Sequence, residues 1–438
     1  MKVTQVSISP SLAANNLNRP ALTPELLAAV GARYSRNNEG LDSILSKIDF
    51  DNPDKSVDSI FKYVDYGHGS LLQLVPIAMF IDGVSIFAAM TLWYLCPTAS
   101  GQESSTRYIN YKDSECYKIN DNSKKLFENY EKAYEFWSEL AQEYPSITKI
   151  PSDINEKQKS RMLRNFAFDR ARVWLPIAAC TNVMMIQSAG AWAELITNLL
   201  SHPFTELKQL GEQLLSELEI SAPRSVKHIY KKKSAERRMN LWIESFNNSN
   251  LDINKPALTL ESNIKFEISS IIEDLKFRKN RYDDCGDISR MNPILFAIPN
   301  ITIGEIRDLN RHRTGSKYID LKPQGFYDTM DCVKDCEKII GKKIKSSIIK
   351  NLGAEGNVLI NVVNQYGTEK GIYSLPLGTQ LNFRHRTTFD KFIYEAELRT
   401  GLGSHYKYCE HFKQLLNILY QSYPEFKGLI LEGNAEPE

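Results

Sequence analysis

The sequence has almost no excess of charge of either sign. Its 438 residues include 54 lysines and arginines and 53 aspartates and glutamates, which gives a formal net charge of +1. Bulk nucleic-acid binding requires a strong basic field, so this balance argues against it. The sequence also lacks a G-x-G-x-x-G motif after a strand and a Walker-type loop, which argues against a conventional dinucleotide or triphosphate enzyme.

The cysteines argue against a disulfide-stabilised protein, and the apolar runs argue against a membrane-spanning one. The seven cysteines are scattered and odd in number, so no disulfide framework is implied and a reducing cytoplasm fits better. No apolar run reaches the roughly 18 residues of a membrane span, and no signal-like segment opens the chain. Cys332 and Cys336 have helical spacing without a second Cys/His pair, so we predict a buried helix and no metal site. We expect a soluble cytoplasmic protein.

The most unusual stretch is R-H-R-T-G-S-K-Y at residues 311–318. It follows an apolar run at 294–298 and a helix-like segment at 303–309, so its charges would stand at the end of an element. Arginine offers a rigid fork for phosphate or carboxylate, and histidine can donate or accept near neutral pH. The block therefore suits an anionic nucleotide or cofactor, although a lone basic triplet is more often a solvated turn.

The two halves of the chain carry related motifs in the same order. In the first half, G-H-G-S at 67–70 precedes an apolar run and then E-S-S-T-R-Y at 103–108. In the second half, G-D-I-S at 286–289 precedes an apolar run and then the block at 311–318. The A-R-V-W-L-P segment also has a counterpart, I-Y-S-L-P, 200 positions later. Such an offset suggests a duplicated domain.

In this order, over roughly residues 57–411, the motifs resemble two tandem copies of a flavin-dependent thymidylate synthase. The family pattern has Gly-His-x-Ser, Arg-His-Arg, Glu-x-Ser-x-Arg-Tyr and Ala-Arg-x-x-Leu-Pro segments and a final helix carrying an arginine. The resemblance implies an α/β (α+β) fold of two tandem thymidylate-synthase-complementing-protein-like repeats, each a small sheet flanked by long helices. We predict a first repeat at 1–219, a linker at 220–264 and a second repeat at 265–438.

Neither repeat carries the full set of family motifs. Where the first repeat should have Arg-His-Arg, it reads Leu95-Cys96-Pro97. In the second repeat Asp287 replaces the histidine after glycine, and no arginine precedes the second Leu-Pro. The losses are complementary, so we hypothesise one composite site assembled from both repeats. The rival hypothesis is a relic that has lost catalysis.

The resemblance also implies a reaction and its participants. The reaction is reductive methylation of deoxyuridine monophosphate (dUMP) at the fifth carbon of uracil, with flavin adenine dinucleotide (FAD) as cofactor. Methylenetetrahydrofolate and NADPH are the other reactants, and two fused chains would form a homodimer that mimics the family's homotetramer. Two alternatives remain: methylation of another pyrimidine nucleotide, and a non-catalytic flavin- or nucleotide-binding protein.

The resemblance assigns roles to individual residues. The nucleotide would be bound by Glu103, Ser105, Arg107, Arg172 and Arg399. Of these, Arg172 and Arg399 would also act in catalysis. The flavin would be held by His68, Ser70, Arg311, His312 and Arg313.

Apolar periodicity predicts the helices that flank these motifs. We expect a helix beginning at Pro24 after Thr23 as N-cap, and apolar or amphipathic helices over 124–144, 175–200 and 203–218. Further helices are expected near 332–352 and 388–420. The segment at 81–85 is predicted as a turn. The second basic block, F-R-H-R-T at 383–387, either lines the same anionic pocket or begins a helix.

Overall fold

The chain folds into two compact units. A computed structural model describes residues 1–9, 11–17, 20–36, 38–62, 69–96, 98–118, 121–148, 150, 154–227, 229–261, 265–401 and 403–433. Unit 1 consists of residues 1–104 and 180–241, and unit 2 of residues 105–179 and 242–438. The predicted repeat boundaries state which segments arose by duplication. A division into compact units does not test this, so the boundaries stay a prediction.

The described residues form eight strands and eighteen α-helices. The strands are β1 (Lys2–Val6), β2 (Pro76–Ser85), β3 (Ser100–Glu103), β4 (Cys180–Ser188), β5 (Ala257–Leu260), β6 (Pro293–Thr302), β7 (Ser316–Phe326) and β8 (Thr379–Thr388). The helices of the first half are α1 (Leu12–Asn16), α2 (Pro24–Tyr34), α3 (Leu41–Leu45), α4 (Pro53–Phe61), α5 (Ile86–Leu95), α6 (Asp121–Glu143), α7 (Glu156–Ala171), α8 (Ala189–Leu200), α9 (Thr205–Ser221) and α10 (Lys233–Glu244). Those of the second half are α11 (Lys265–Lys276), α12 (Asp287–Met291), α13 (Ile303–Leu309), α14 (Met330–Ile340), α15 (Ser347–Val362), α16 (Thr368–Tyr373), α17 (Phe389–Thr400) and α18 (Tyr406–Ser422).

Each unit is built on one antiparallel sheet of four strands. In unit 1 the strand order is β1-β2-β4-β3, and α5 and α8 pack against β4 while α9 packs against β1. In unit 2 the order is β5-β6-β8-β7, with α18 against β5 and α15 against β7. Helices and small antiparallel sheets occur together in both units, so the predicted fold class is confirmed.

The two sheets also share a detail of their central hairpins. The β2–β4 pairing shifts register between Ile81 and Val84, and the β6–β8 pairing shifts between Ile298 and Ile301, 217 positions later. At both bulges one residue has a left-handed backbone: Gly83 with φ 68° and Asn300 with φ 54°. A duplication would leave such a correspondence, which supports the tandem-repeat hypothesis.

The two Leu-Pro segments pair with each other inside unit 2. Ile177 N donates to Leu375 O at 2.8 Å, and Leu377 N donates to Leu175 O at 2.8 Å. The bonds are reciprocal, and Leu175 and Ile177 stand 200 positions before Leu375 and Leu377, which is the offset seen in the sequence. This pairing fixes the backbone that follows Arg172.

Several sequence predictions are confirmed by these elements. Helix α2 begins at Pro24 with Thr23 as N-cap, although the Thr23 hydroxyl makes no capping hydrogen bond. Helix α6 covers nearly all of the helix predicted over 124–144, and its Tyr130 and Trp137 are fully buried. Cys332 and Cys336 lie buried on α14, and all seven cysteines are free.

Other predictions were wrong in part. The predicted helix over 175–200 is strand β4 followed by α8, because residues 180–188 alternate in burial with the period of a strand. The predicted turn at 81–85 is the bulged end of β2, and the segment at 383–387 lies within strand β8. Two helices, rather than one, occupy each of the regions near 332–352 and 388–420.

The stretch predicted as a linker contains α10 and strand β5, and β5 pairs with β6.

Among the described residues, no helix is both long enough and apolar enough to cross a membrane.

The left-handed backbone at the first bulge predicts a cost for any side chain there. Gly83→Ala should lower the free energy of unfolding by about 1 kcal/mol, because a Cβ disfavours positive φ. Urea denaturation measures this change. Gly69→Ala is the matched control, since Gly69 is not at positive φ and a Cβ there meets nothing within 4 Å. Equal effects of the two substitutions would contradict the strain at Gly83.

Candidate functional site

Four arginines of unit 2 gather around the end of α13. Arg107 follows β3 in the chain, Arg172 opens a 3-10 turn immediately after α7, and Arg399 lies in the last turn of α17. The fourth, Arg307, lies on α13 itself, which begins with a capping box between Thr302 and Glu305. We call Arg107, Arg172, Arg307 and Arg399 the arginine cluster.

Arg107 is held by a buried bidentate ion pair. Its Nε and Nη2 donate to the two carboxylate oxygens of Asp169 at 2.7 and 3.0 Å, and Nη2 also donates to the carbonyl of Gly403 at 3.0 Å. The backbone N–H of Arg107 donates to Ser105 Oγ at 3.2 Å. Arg107 is only 9% exposed. Its guanidinium is therefore fixed in one orientation.

Arg172 is almost fully enclosed and pairs with Asp308. Its Nη1 donates to Asp308 Oδ2 at 2.9 Å and lies 3.5 Å from Thr106 Oγ1, while Arg307 Nη1 donates to the same hydroxyl at 2.9 Å. Arg172 Nη2 is buried and has no hydrogen-bond partner among the described residues. An orphaned donor of a buried cation is costly, so this atom is suited to an acceptor from a ligand.

Asp308 is the carboxylate that these arginines share. Burial alone would raise the pKa of its carboxyl, but the charges of Arg172, Arg307, Arg399 and Arg107 hold that pKa well below its usual range. Asp308 therefore stays ionised and keeps several like charges close together.

Arg399 is held by three partners that carry no negative charge. Its Nε donates to His312 Nε2 at 2.9 Å, its Nη1 to Tyr408 Oη at 3.3 Å and its Nη2 to the carbonyl of Asp308 at 3.2 Å. None of these described acceptors is a carboxylate side chain. His312 is thus joined to the predicted catalytic arginine.

A basic strip lies beside the cluster. Arg311 is half-buried and Arg313 exposed in the turn between α13 and β7, and Arg384 and Arg386 project from the exposed face of β8. Arg386 pairs with Glu261 at 2.6 Å. Gly315 makes the close approach of the turn to β8 possible, because its φ is 71° and a Cβ there would lie 1.9 Å from the carbonyl oxygen of Arg386. These guanidiniums are suited to a diphosphate.

The remaining predicted residues belong to unit 1 or lie outside the described residues. Glu103 is buried at the end of β3 and accepts a hydrogen bond from Trp93 Nε1 at 3.1 Å. Ser70 is exposed in the 3-10 turn Gly69–Leu74. His68 lies outside the described residues. The structure therefore brings Ser105, Arg107, Arg172, Arg399 and His312 into one unit.

Sequence reasoning missed five residues of this neighbourhood: Asp169, Arg307, Asp308, His405 and Tyr408. A signal existed for two of them, because Arg307 and Asp308 lie one helical turn before the basic block at 311–313. Asp169 stands three residues before Arg172 within a buried stretch, which is an unusual place for an acid unless it is paired.

His405 supports the Arg107–Asp169 pair from the other side. Its Nε2 donates to the carbonyl of Asp169 at 3.0 Å, and its Nδ1 accepts from Lys407 N at 3.2 Å. Burial and the charges of Arg172 and Arg107 lower the pKa of His405 well below its usual value. The ring is therefore a neutral support for the acid rather than a proton donor at neutral pH.

Comparisons with known proteins agree with the motif-level resemblance. Residues 20–224, just under half of the chain, match the family described as thymidylate synthase complementing protein. That segment contains Arg107 and Arg172, whereas Arg307 and Arg399 lie outside it. The resemblance to the flavin-dependent thymidylate synthases is thereby confirmed. No curated protein matches the sequence.

Solved structures of related proteins are similar to about half of the chain. A flavin-dependent thymidylate synthase from Helicobacter pylori, complexed with FAD and dUMP, is 18% identical with a TM-score of 0.33, over 53% of this chain and 100% of its own. A second structure from that organism, also with FAD and dUMP, is 20% identical with a TM-score of 0.31, over 52% and 100%. A UMP/dUMP methylase from Streptomyces cacaoi, bound with 5-Br dUMP, is 15% identical with a TM-score of 0.31, over 52% and 93%.

Replacing Asp308 tests whether the arginines depend on it. Asp308→Asn should lower the free energy of unfolding at pH 7 by about 3 kcal/mol, because it leaves buried guanidiniums without their shared counter-charge. The folded-state pKa of Asp308 is depressed, so its contribution is present above the unfolded-state pKa of about 3.9. The contribution is lost as the pH falls towards the lower folded-state pKa.

Denaturation of wild type and Asp308→Asn from pH 7 to pH 2 measures this prediction. The difference between them should persist down to about pH 4 and narrow below it. Asp335→Asn is the control, because Asp335 forms an exposed i,i+3 pair with Lys338 whose loss should cost less than about 1 kcal/mol. A constant difference at all pH values would contradict the ionic role of Asp308.

Proposed function

We propose that this chain, whose residues 20–224 carry the match to the thymidylate synthase complementing protein family, is a flavin-dependent enzyme that reductively methylates dUMP at the fifth carbon of uracil. The observation that carries the proposal is the arginine cluster. Three buried guanidiniums and the half-buried guanidinium of Arg399 converge from four segments, and one has an orphaned donor. Such a group suits a ligand with both a phosphate and a polarisable ring.

The origin of the four arginines supports a composite site. Arg107 and Arg172 come from the first half of the chain, and Arg307 and Arg399 come from the second. All four belong to unit 2, so the hydrogen bonds that link them do not require a second chain. The complementary losses in the sequence would then reflect two repeats that each supply the part the other lacks.

Each arginine receives a role from its surroundings. We assign Arg107, with Ser105 beside it, to the nucleotide phosphate, because the ion pair with Asp169 holds this cation in one orientation. We assign Arg172 and Arg399 to the uracil carbonyls. As the ring is activated, negative charge develops on its oxygens, and fixed cations in a water-poor site stabilise that charge without reorganising.

The basic strip fits the anionic part of FAD. Arg311, Arg313 and Arg384 present guanidiniums at the surface of unit 2, where they would bind the diphosphate and orient the cofactor. When bound and reduced by NADPH, the flavin would supply the hydride and would relay the one-carbon group that methylenetetrahydrofolate provides. Every participant in this reaction, the folate and NADPH included, is part of the proposal.

A counterpart site in the chain would have lost its charges. At the offset of 200, Leu199 corresponds to Arg399 and Ile372 to Arg172; at the offset of 217, Met90 corresponds to Arg307. We therefore propose one site per chain. Two chains would together mimic the family's tetramer.

Flavin binding is tested by the visible absorbance of the purified protein with and without added FAD. We expect a flavin spectrum in the wild type and its loss in Arg311→Ala/Arg313→Ala, because the diphosphate loses two guanidiniums. The control is Lys338→Ala/Lys343→Ala, which removes two exposed cations from the region of α14. A wild-type protein that is colourless and does not bind added FAD would contradict the proposal.

Turnover is tested by the methylation of dUMP and, separately, of UMP. Arg399→Lys should lower kcat/KM about a hundredfold or more, because a lysine cannot reproduce the three donations of the planar guanidinium. Preference for UMP would select methylation of the other pyrimidine nucleotide. Flavin binding without methylation of either nucleotide would select the non-catalytic alternative.

A further inference from the structure

The hydrogen bond from Arg399 determines the state of its histidine partner. Arginine always carries a hydrogen on Nε, so His312 Nε2, at 2.9 Å, must accept. A ring that accepts at Nε2 is neutral and carries its proton on Nδ1. His312 Nδ1 faces Glu395 Oε1 at 4.0 Å, and this oxygen has no hydrogen-bond partner among the described residues.

Glu395 lies at the centre of a buried group of basic side chains. It is 2% exposed, and its Oε2 lies 3.6 Å from His385 Nδ1. His385 Nε2 lies 2.8 Å from the carbonyl oxygen of Thr314. Lys317 donates to the carbonyl of His312. The carboxylate of Glu395 thus lies within 4.0 Å of basic side chains from the turn after α13 and from β8.

The pKa shifts agree with this arrangement. Burial would raise the pKa of Glu395, but His312, His385 and Lys317 lower it to about 2, so the carboxylate stays charged. Burial lowers the pKa of His312 to about 3, against the opposing effect of Glu395 and with the help of Arg399, Lys317 and His385. Between pH 5 and pH 8 we therefore expect neither group to titrate.

The corresponding positions of unit 1 have lost all three groups together. Glu395 and Arg399 lie one turn apart on α17, and 200 positions earlier α8 carries Leu195 and Leu199. In the alignment of Arg-His-Arg with Leu95-Cys96-Pro97, His312 corresponds to Cys96, which follows the last residue of α5. Glu395, His312 and Arg399 of one unit are thus replaced by a cysteine and two leucines in the other, which indicates that they function as a set.

We propose that Glu395 and His312 are positioning residues for Arg399. Glu395 holds the His312 ring in its Nδ1–H form, and the Nε2 lone pair then fixes the guanidinium in the orientation that the nucleotide requires. The proposal rests on the role that the proposed function gives to Arg399. It also gives His312, the histidine of the basic block, a role that does not depend on the flavin.

The tautomer of His312 is measured directly by long-range ¹H–¹⁵N NMR of the full chain labelled with ¹⁵N-histidine. The His312 signals are those missing from the spectrum of His312→Gln. We expect the neutral Nδ1–H form, unchanged from pH 5 to pH 8. An Nε2–H form, or a ring that titrates in this range, would overturn the proposal.

Variants of Glu395 connect the tautomer to function. In Glu395→Leu we expect the His312 ring to leave the pure Nδ1–H form and kcat for dUMP methylation to fall about ten- to hundredfold. Glu395→Gln keeps an acceptor oxygen and should restore most of both. The matched control is Glu397→Gln on the same helix, which weakens the buried pair with Arg278 and should lower stability without changing the tautomer or kcat.

The outcomes separate this proposal from the proposed function. If the wild type methylates no nucleotide but His312 has the Nδ1–H form and loses it in Glu395→Leu, the proposed function fails and the positioning contacts stand. If the wild type is active and Glu395→Leu is as active as Glu397→Gln, the positioning role is wrong while the function stands.

Discussion

The constraint on which the rest of unit 2 depends is the proximity of like charges in a buried place. Arg107, Arg172, Arg307 and Arg399 all act on the carboxyl of Asp308, whose pKa they hold well below its usual range. Such a cluster is costly to desolvate and persists only where carboxylates and hydrogen bonds offset the repulsion. Asp169, which is supported by His405, offsets the charge of Arg107, and the neutral ring of His312 accepts a hydrogen bond from Arg399. Because these residues come from different elements, the arginines are stabilised only when those elements pack together in one arrangement.

The family resemblance predicted the fold class, and apolar periodicity predicted about half of the described helices, those whose apolar periods are long and regular. It failed where a short strand precedes a helix: Cys180–Ser188 is apolar enough to read as the start of α8, and only pairing with β2 shows its period of two. The prediction that residues 383–387 begin a helix failed for the same reason. Its alternation of exposed arginines with a buried histidine becomes visible only once β8 lies between β6 and β7.

The candidate site was predictable to the extent that it lies in motifs. Arg107, Arg172, Arg399 and His312 were each found in a motif, and unit 2 contains them all. The acids that pair with them were not found, since Asp169 and Asp308 belong to no family motif and their pairing with arginines is seen only in the folded structure. The joining of His312 to Arg399, across 87 residues, is a tertiary contact that no local pattern encodes.

The central claim is that the arginine cluster is a nucleotide-monophosphate site, one per chain. Isothermal titration calorimetry of the wild type with dUMP and with deoxyuridine tests it most directly. The account predicts one dUMP bound per chain, with affinity that falls as salt rises, and at least about a hundredfold weaker binding of the nucleoside, which lacks the charge-assisted bonds to phosphate. Equal affinity for the two ligands, or no binding of dUMP, would contradict it.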